Sequence, residues 1–271
     1  MRLTCLVDNC VQSSSALWGE HGLSFLIETD AARVLWDTGQ SGTVLAHNLE
    51  ALKLHELPLT ALALSHAHYD HTGGLEPVLT AHPGIPLYGH ADLLRLRYGR
   101  REHVDIGMPI TPTDLARRAD LRLSAAPQEI APDIRTIGDI QPRPYPMGAS
   151  ASHAIRVSGQ WMPDPYYDDQ SLILEVAGGV VLLCGCCHAG LRNTLATLRR
   201  QTSAPLVAVL GGTHLAGVDA TELQAIIEML RGEGTPALYL NHCTGTHAIQ
   251  VLAQVFGERA APCPAGTVIS F

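Results

Sequence analysis

An α/β architecture, with helices packed outside and sheet inside, follows from three features of the sequence. Apolar runs of strand length recur through the N-terminal part, punctuated by turn residues. From residue 171 onward such runs alternate with segments of helical periodicity. Hydrophobic residues make up 46% of the 271 and charged residues 16%, so a sizeable core can form and disorder is disfavoured.

Residues 3–7, 23–28 and 33–36 read as strands, with Thr29 and Asp30 near the turn between the last two. Asp37-Thr38-Gly39 ends the third. Residues 42–54 have helical spacing, 59–64 form a buried strand, and a helix starts at about Gly74 after a short polar loop. Residues 86–160 differ. They hold Pro142, Pro144 and Pro146 and an arginine-rich segment, 93–101, that reads as a helix. Such composition suits an inserted cap or long loop rather than core sheet, carried by a single domain spanning 1–271. Regularity then returns. Residues 171–176 and 180–184 form a hairpin across Gly178-Gly179, followed by helix 191–200, strand 206–210, helix 222–231 and strand 237–240.

The formal net charge of -8 argues against a broad nucleic-acid surface, which needs clustered cations. The opening MRLTCLVDNCVQ lacks the apolar core of a secretory signal, and no run approaches the roughly 18 apolar residues of a spanning helix. A cytoplasmic protein acting on a small molecule, with neither membrane nor nucleic acid as partner, is expected. Seven cysteines, three of them at 184, 186 and 187, read as reduced thiols and not as a disulfide framework. Histidine stands out, with 14 against 18 Lys plus Arg.

The histidines concentrate at one place. Ser65-His66-Ala67-His68-Tyr69-Asp70-His71 follows directly on a strand. Extended backbone has a period of two, so His66 and His68 can grip one metal from the same side. Asp70 and His71 arrive as the chain turns toward a helix and can reach a second. Two metals sharing a hydroxide make a strong nucleophile at neutral pH, with Asp70 placed to accept a proton.

Further candidates fall at other strand ends. Asp37 is expected to brace the histidine loop through hydrogen bonds. His188, after Cys184-Gly185-Cys186-Cys187, is the candidate third ligand of the first metal. His242, in Asn241-His242-Cys243-Thr244-Gly245, is the candidate imidazole of the second. Cys186 is either a thiolate ligand or inert packing. His214 is a ligand, a proton donor or a structural histidine. His47, His55, His82, His90, His103, His153 and His247 have no comparable context and read as ordinary surface or core. Arg95, Arg97, Arg100 and Arg101 either hold a substrate phosphate or form a solvated helix face.

His66-Ala67-His68-Tyr69-Asp70-His71 resembles the signature of the metallo-β-lactamase superfamily. The resemblance implies a four-layer αβ/βα sandwich with metals between two sheets. Glu20-His21-Gly22-Leu23-Ser24, Asp37-Thr38-Gly39, Asp168-Asp169-Gln170-Ser171-Leu172, Gly185-Cys186-Cys187-His188-Ala189-Gly190, Gly211-Gly212-Thr213-His214-Leu215 and His242-Cys243-Thr244-Gly245 are similar to a narrower branch. That branch is the dihydropterin-ribofuranosylaminobenzene-phosphate synthases of methanopterin biosynthesis.

Two departures from the broad pattern stand out. No histidine precedes Ser171-Leu172, where Tyr167, Asp168 and Asp169 stand, the two aspartates being candidates for positioning or substrate contact. Cys186 takes the place of the carboxylate that bridges two metals in the superfamily. Histidine at 68, where the flavodiiron branch has glutamate, favours one or two zinc ions, with iron or manganese as alternatives.

The expected activity is metal-dependent hydrolysis of a small anionic substrate, a phosphorylated one included. A synthase-like transferase and a non-catalytic metal-binding or sensing protein are the alternatives. A secreted β-lactamase would need an export signal, and a nuclease a basic arm; neither is seen. Oligomeric state has no signature in the chain.

Overall fold

The structure is a computed structural model describing residues 1–148 and 150–271. Two seven-stranded sheets lie face to face. The first runs, edge to edge, Val268–Ser270, Arg2–Val7, Ser24–Glu28, Arg33–Trp36, Ala61–Ala63, Ile85–Gly89 and Ala119–Leu123. The second runs Ala260–Pro262, Ala237–Leu240, Leu206–Gly211, Gly179–Cys184, Ser171–Val176, Ile134–Thr136 and Glu129–Ala131.

Strand periodicity sorts the side chains into layers. Phe25, Ile27, Val34 and Trp36 face inward and meet Leu172, Leu174, Val181 and Leu183 of the second sheet. The residues between them, Leu26 and Leu35, face outward onto Leu45 of helix Gly42–Ala51 and Val78 and Leu79 of helix Leu75–Ala81. On the far side Ile173, Leu182 and Val209 pack on Leu195 and Leu198 of helix Leu191–Gln201 and on Ile226 and Leu230 of helix Ala220–Gly232. Helix, sheet, sheet and helix make the expected four layers. With both faces buried, the strands read as continuous apolar runs. Each such side chain contributes roughly 1.5–3 kcal/mol by leaving water. Trp36, fully buried, also ties the sheets together by donating its indole N–H to the Cys184 carbonyl at 3.3 Å.

The arginine-rich segment 93–101 is not a helix. Its chain turns and then forms the short strand Tyr98–Gly99, which pairs with His153–Val157 in a separate three-stranded sheet completed by Gln160–Pro163. The cause is electrostatic. Arg97 is drawn into the interior, fully buried, by Asp164 at 3.2 Å and Asp168 at 2.6 Å. Arg95 is held by Asp92 at 2.6 Å. The stretch 86–160, expected as irregular chain over the sheets, also supplies core strands: most of Ile85–Gly89 and all of Ala119–Leu123, Glu129–Ala131 and Ile134–Thr136.

The hairpin of the second sheet turns at Ala177-Gly178, since Gly179 already pairs with Val176. The C-terminal helix Thr246–Phe256 and the edge strands Ala260–Pro262 and Val268–Ser270 extend the alternation beyond residue 240. Among the described residues no helix is long and apolar enough to cross a membrane.

Candidate metal centre

The parallel strands Ala61–Ala63, Gly179–Cys184, Leu206–Gly211 and Ala237–Leu240 all end on one rim of the sandwich. In open α/β sheets this carboxyl-end rim is where ligands bind. It brings together His66, His68, Asp70 and His71 from the first sheet and Cys186, His188, His214 and His242 from the second. Five non-glycine residues of these loops, Asp37, Tyr166, Cys187, His214 and His242, adopt left-handed backbone with φ of 48–56°. Such conformations persist where the surroundings over-determine them.

Among the described residues four overlapping three-donor sets result: His66/His68/His188, His66/His71/Cys186, Cys186/His242/Cys243 and His21/Asp70/His242, the last three sharing members and forming one second group. Ligating atoms of His66, His68 and His188 lie within 4.8 Å of one another, with His66 Nε2 only 3.0 Å from His68 Nδ1. The second group borders it, the His66 and His71 rings being 4.2 Å apart. There His71 Nε2 is 3.2 Å from His242 Nε2 and 3.2 Å from Cys186 Sγ, and Asp70 Oδ2 is 3.7 Å from His71 and 3.3 Å from His242.

The donors fit a metal. Burial pushes His66, His68 and His188 well below the usual histidine range, so all three rings are neutral and present lone pairs. Both ring nitrogens of His188 and Nε2 of His68 are buried without a hydrogen-bond partner. Neutral imidazoles crowded in this way, with polar atoms left over, are what a cation would satisfy. In the second group burial also lowers His242, to about 4, despite its contact with Asp70. Burial opposes ionisation of Asp70, but His71, His21 and His242 outweigh it and hold the carboxyl well below its ordinary range. Burial likewise opposes the charged form of His71, yet Asp37 and Asp70 raise it to about 9, so a metal held there would displace the Nε2 proton.

The supporting shell is equally specific. Asp37 is fully buried and accepts from Ser65 N–H, the Ser65 hydroxyl and His71 Nδ1, each at 2.7 Å. It thereby fixes the His71 ring with Nε2 toward His242 and Cys186. Asp168 accepts from the Ala67 N–H at 2.9 Å, between the paired histidines, and Asp169 accepts from Ala189 N–H at 2.9 Å, beside His188. Burial lifts these two carboxyls, to about 6 and about 7. They clamp the backbone of the ligand loops. Gly185 lets the two loops meet, since a Cβ there would lie 2.2 Å from Ser65.

His214 stands beside His188, rings 4.6 Å apart, but joins no three-donor group among the described residues. The four arginines do not form one cationic cluster. With Arg95 and Arg97 paired internally, Arg100 and Arg101 remain exposed in the turn after Tyr98–Gly99, Arg100 donating to the Ala151 carbonyl at 3.0 Å.

Several contributors have no sequence signal of this strength. His153, read above as ordinary, lies 4.8 Å from the His68 ring. Tyr166 stacks on His188 at 4.2 Å and accepts the Ser150 N–H at 3.2 Å; His153 Nδ1 at 2.8 Å is the one acceptor its hydroxyl has among the described residues, which directs the proton there. That hydrogen bond leaves the N–H of a neutral His153 on Nε2. His21 contacts Asp70 at 3.1 Å, and Asp8 and Asn9 accept from the backbone N–H and Nδ1 of His242 at 2.7 and 3.0 Å. His21 sits in the Glu20–Ser24 motif, which could have flagged it. The only hint for Asp8 and Asn9 was their place after the first strand.

A family model for the metallo-beta-lactamase superfamily matches residues 17–242. The chain is 25% identical to the 7,8-dihydropterin-6-methyl-4-(beta-D-ribofuranosyl)-aminobenzene-5'-phosphate synthase of Methanocaldococcus jannaschii, over 100% of this chain and 97% of that protein. An uncharacterised protein of the same organism is 31% identical over 92% of this chain and 93% of its own length. Among solved structures, a metal-dependent hydrolase of the β-lactamase superfamily aligns with a TM-score of 0.86 at 24% identity, covering 100% of this chain and 99% of that one. That likeness shows the shared fold. The family match spans every donor from His66 to His242, and the chain belongs to the metallo-β-lactamase superfamily.

Proposed function

We propose that this protein is a zinc-dependent hydrolase acting on a small anionic substrate, such as a phosphorylated one. The observation that carries the reading is the pair of adjoining buried donor groups, His66/His68/His188 and Asp70/His71/His242 with Cys186. Imidazole, thiolate and a single carboxylate are a donor set suited to zinc, with iron or manganese next. Metals held there would lower the pKa of a water and polarise a carbonyl or phosphoryl oxygen.

The chain's own groups supply the rest. His153 Nε2–H, fixed by Tyr166, is a neutral donor beside His68, placed to stabilise charge that develops on substrate. A groove of about 560 Å³ lined by Met147, Thr213, His214, Leu215 and Ile226 adjoins the centre through His214. It also borders Gly190 and Leu191, where helix Leu191–Gln201 begins without a side-chain cap.

The end-to-end similarity to the pterin synthase supports a second reading, a transferase using the same donors with an aryl carbon as nucleophile. Turnover of p-nitrophenyl phosphodiester, thioester and lactone probes in ¹⁸O-water separates the two. Metal-dependent ¹⁸O incorporation is the hydrolase result. Inert probes, with condensation of a pterin and an aminobenzene riboside phosphate instead, would favour the transferase. Full metal loading with neither activity would leave the non-catalytic reading.

A further inference from the structure

Three pairs of thiols face one another: Cys5 with Cys263, Cys184 with Cys187 and Cys186 with Cys243. Solvent reaches only the last pair. Cys243 is partly exposed, whereas its partner and both members of the other pairs are buried; Cys10 is exposed but belongs to no pair. The Cys186 and Cys243 sulfurs lie within 4.8 Å of each other and of a His242 ring nitrogen. Cys243 sits on the short turn His242–Thr244 and accepts the His214 N–H at 3.3 Å, with its thiol directed to the Cys186 carbonyl at 3.6 Å. Gly212 leaves room for this sulfur, since a Cβ there would lie 2.7 Å from it. On the other side Cys186 Sγ is 3.2 Å from His71 Nε2. Cys243 is thus the partly exposed residue of the pair, while the Cys186 sulfur faces the second donor group.

We propose that Cys243 and Cys186 are a peroxide-sensitive thiol pair whose disulfide withdraws Cys186 from the second metal position. The withdrawal rests on the proposed ligand role of Cys186; formation of the disulfide does not. Hydrogen peroxide takes the first step at the partly exposed residue: Cys243 becomes a sulfenic acid and one water is released. The Cys186 thiol then attacks that sulfur, the S–S bond forms, the S–O bond breaks and a second water leaves. Two thiols are oxidised by two electrons and one peroxide is reduced. A disulfide sulfur carries no thiolate charge, so the second metal would lose its softest donor, while His66, His68 and His188 are untouched. A dithiol reductant reverses the bond by exchange.

The test uses the full-length, metal-loaded protein and hydrogen peroxide, read by intact mass, peptide mapping and metal release. The expected result is loss of two hydrogens, a peptide cross-link joining 186 and 243, and release of the second metal alone. Dithiothreitol with added zinc should restore both. Cys243→Ser and Cys243→Ala should bind metal like the parent and resist the release. Four results would overturn the proposal: oxidation of Cys243 without a cross-link, a cross-link at another pair, a cross-link without metal release, or loss of metal in both Cys243 variants before oxidant is added. Full metal binding by Cys186→Ser would instead remove Cys186 from the ligand set, and the withdrawal with it.

Discussion

Asp37→Asn removes one charge from the centre and changes almost no volume. Asparagine tolerates left-handed backbone well, so the φ of 56° at this position can be kept. The hydrogen bonds cannot. The native carboxylate accepts three, from Ser65 N–H, Ser65 Oγ–H and His71 Nδ1, all at 2.7 Å and out of contact with water. The amide retains one acceptor oxygen and turns an NH₂ toward donors. A buried charged pair broken on one side costs about 3–5 kcal/mol. The effect on metal comes through His71, which loses the contact that aims its Nε2. Outer contacts of this kind are worth about 10–100-fold in metal affinity, or roughly 1.4–2.7 kcal/mol. Competition with a chromophoric chelator reads the affinity, and urea unfolding of the same preparation reads the stability. Superimposable chelator curves and an unchanged midpoint would refute the bracing role of Asp37.

Other substitutions probe the rest of the account. Arg97→Met should destabilise by about 3–5 kcal/mol in urea, because Asp164 and Asp168 are left buried without their cation; a change under about 1 kcal/mol would show the network to be dispensable. Gly185→Ala should cost metal binding in elemental analysis by driving Ser65 off Asp37, and a variant with full metal content would contradict the close approach of the two loops. Tyr166→Phe should leave metal content unchanged but shift the ¹⁵N resonance of His153 Nδ1, which loses its donor; an unshifted resonance would mean the hydroxyl does not set the tautomer.

Much of the sandwich was legible because both faces of each central strand are buried, which writes uninterrupted apolar runs into residues such as 33–36 and 180–184. The loops of the candidate centre were legible for a related reason. They follow those strands immediately, so His66, His68, His188 and His242 sit at positions a strand end defines. What was hidden depends on contacts distant in sequence. Asp8 and Asn9 hold His242 from more than 230 positions away, and nothing near them announces it. Arg97 looked like one face of a solvated helix because the carboxylates that bury it, Asp164 and Asp168, lie on a later segment. His153 was passed over on the same ground: its meeting with His68 is made by a three-stranded sheet whose pairing no local pattern specifies. The edge strands Ala260–Pro262 and Val268–Ser270, three residues each, are too short to write a clear apolar run.

The central claim is that two adjoining groups of side chains hold metal. Anomalous diffraction at the zinc edge, from crystals of protein purified without added metal, tests it most directly, with iron and manganese edges collected on the same crystal. The account predicts one peak among His66, His68 and His188, and a second among Asp70, His71 and His242 beside Cys186. Both should vanish in a variant carrying His66→Ala and His68→Ala if the first ion organises the second, and the first must vanish in any case. A fully ordered centre without either peak, or metal bound undiminished by the double variant, would contradict the account.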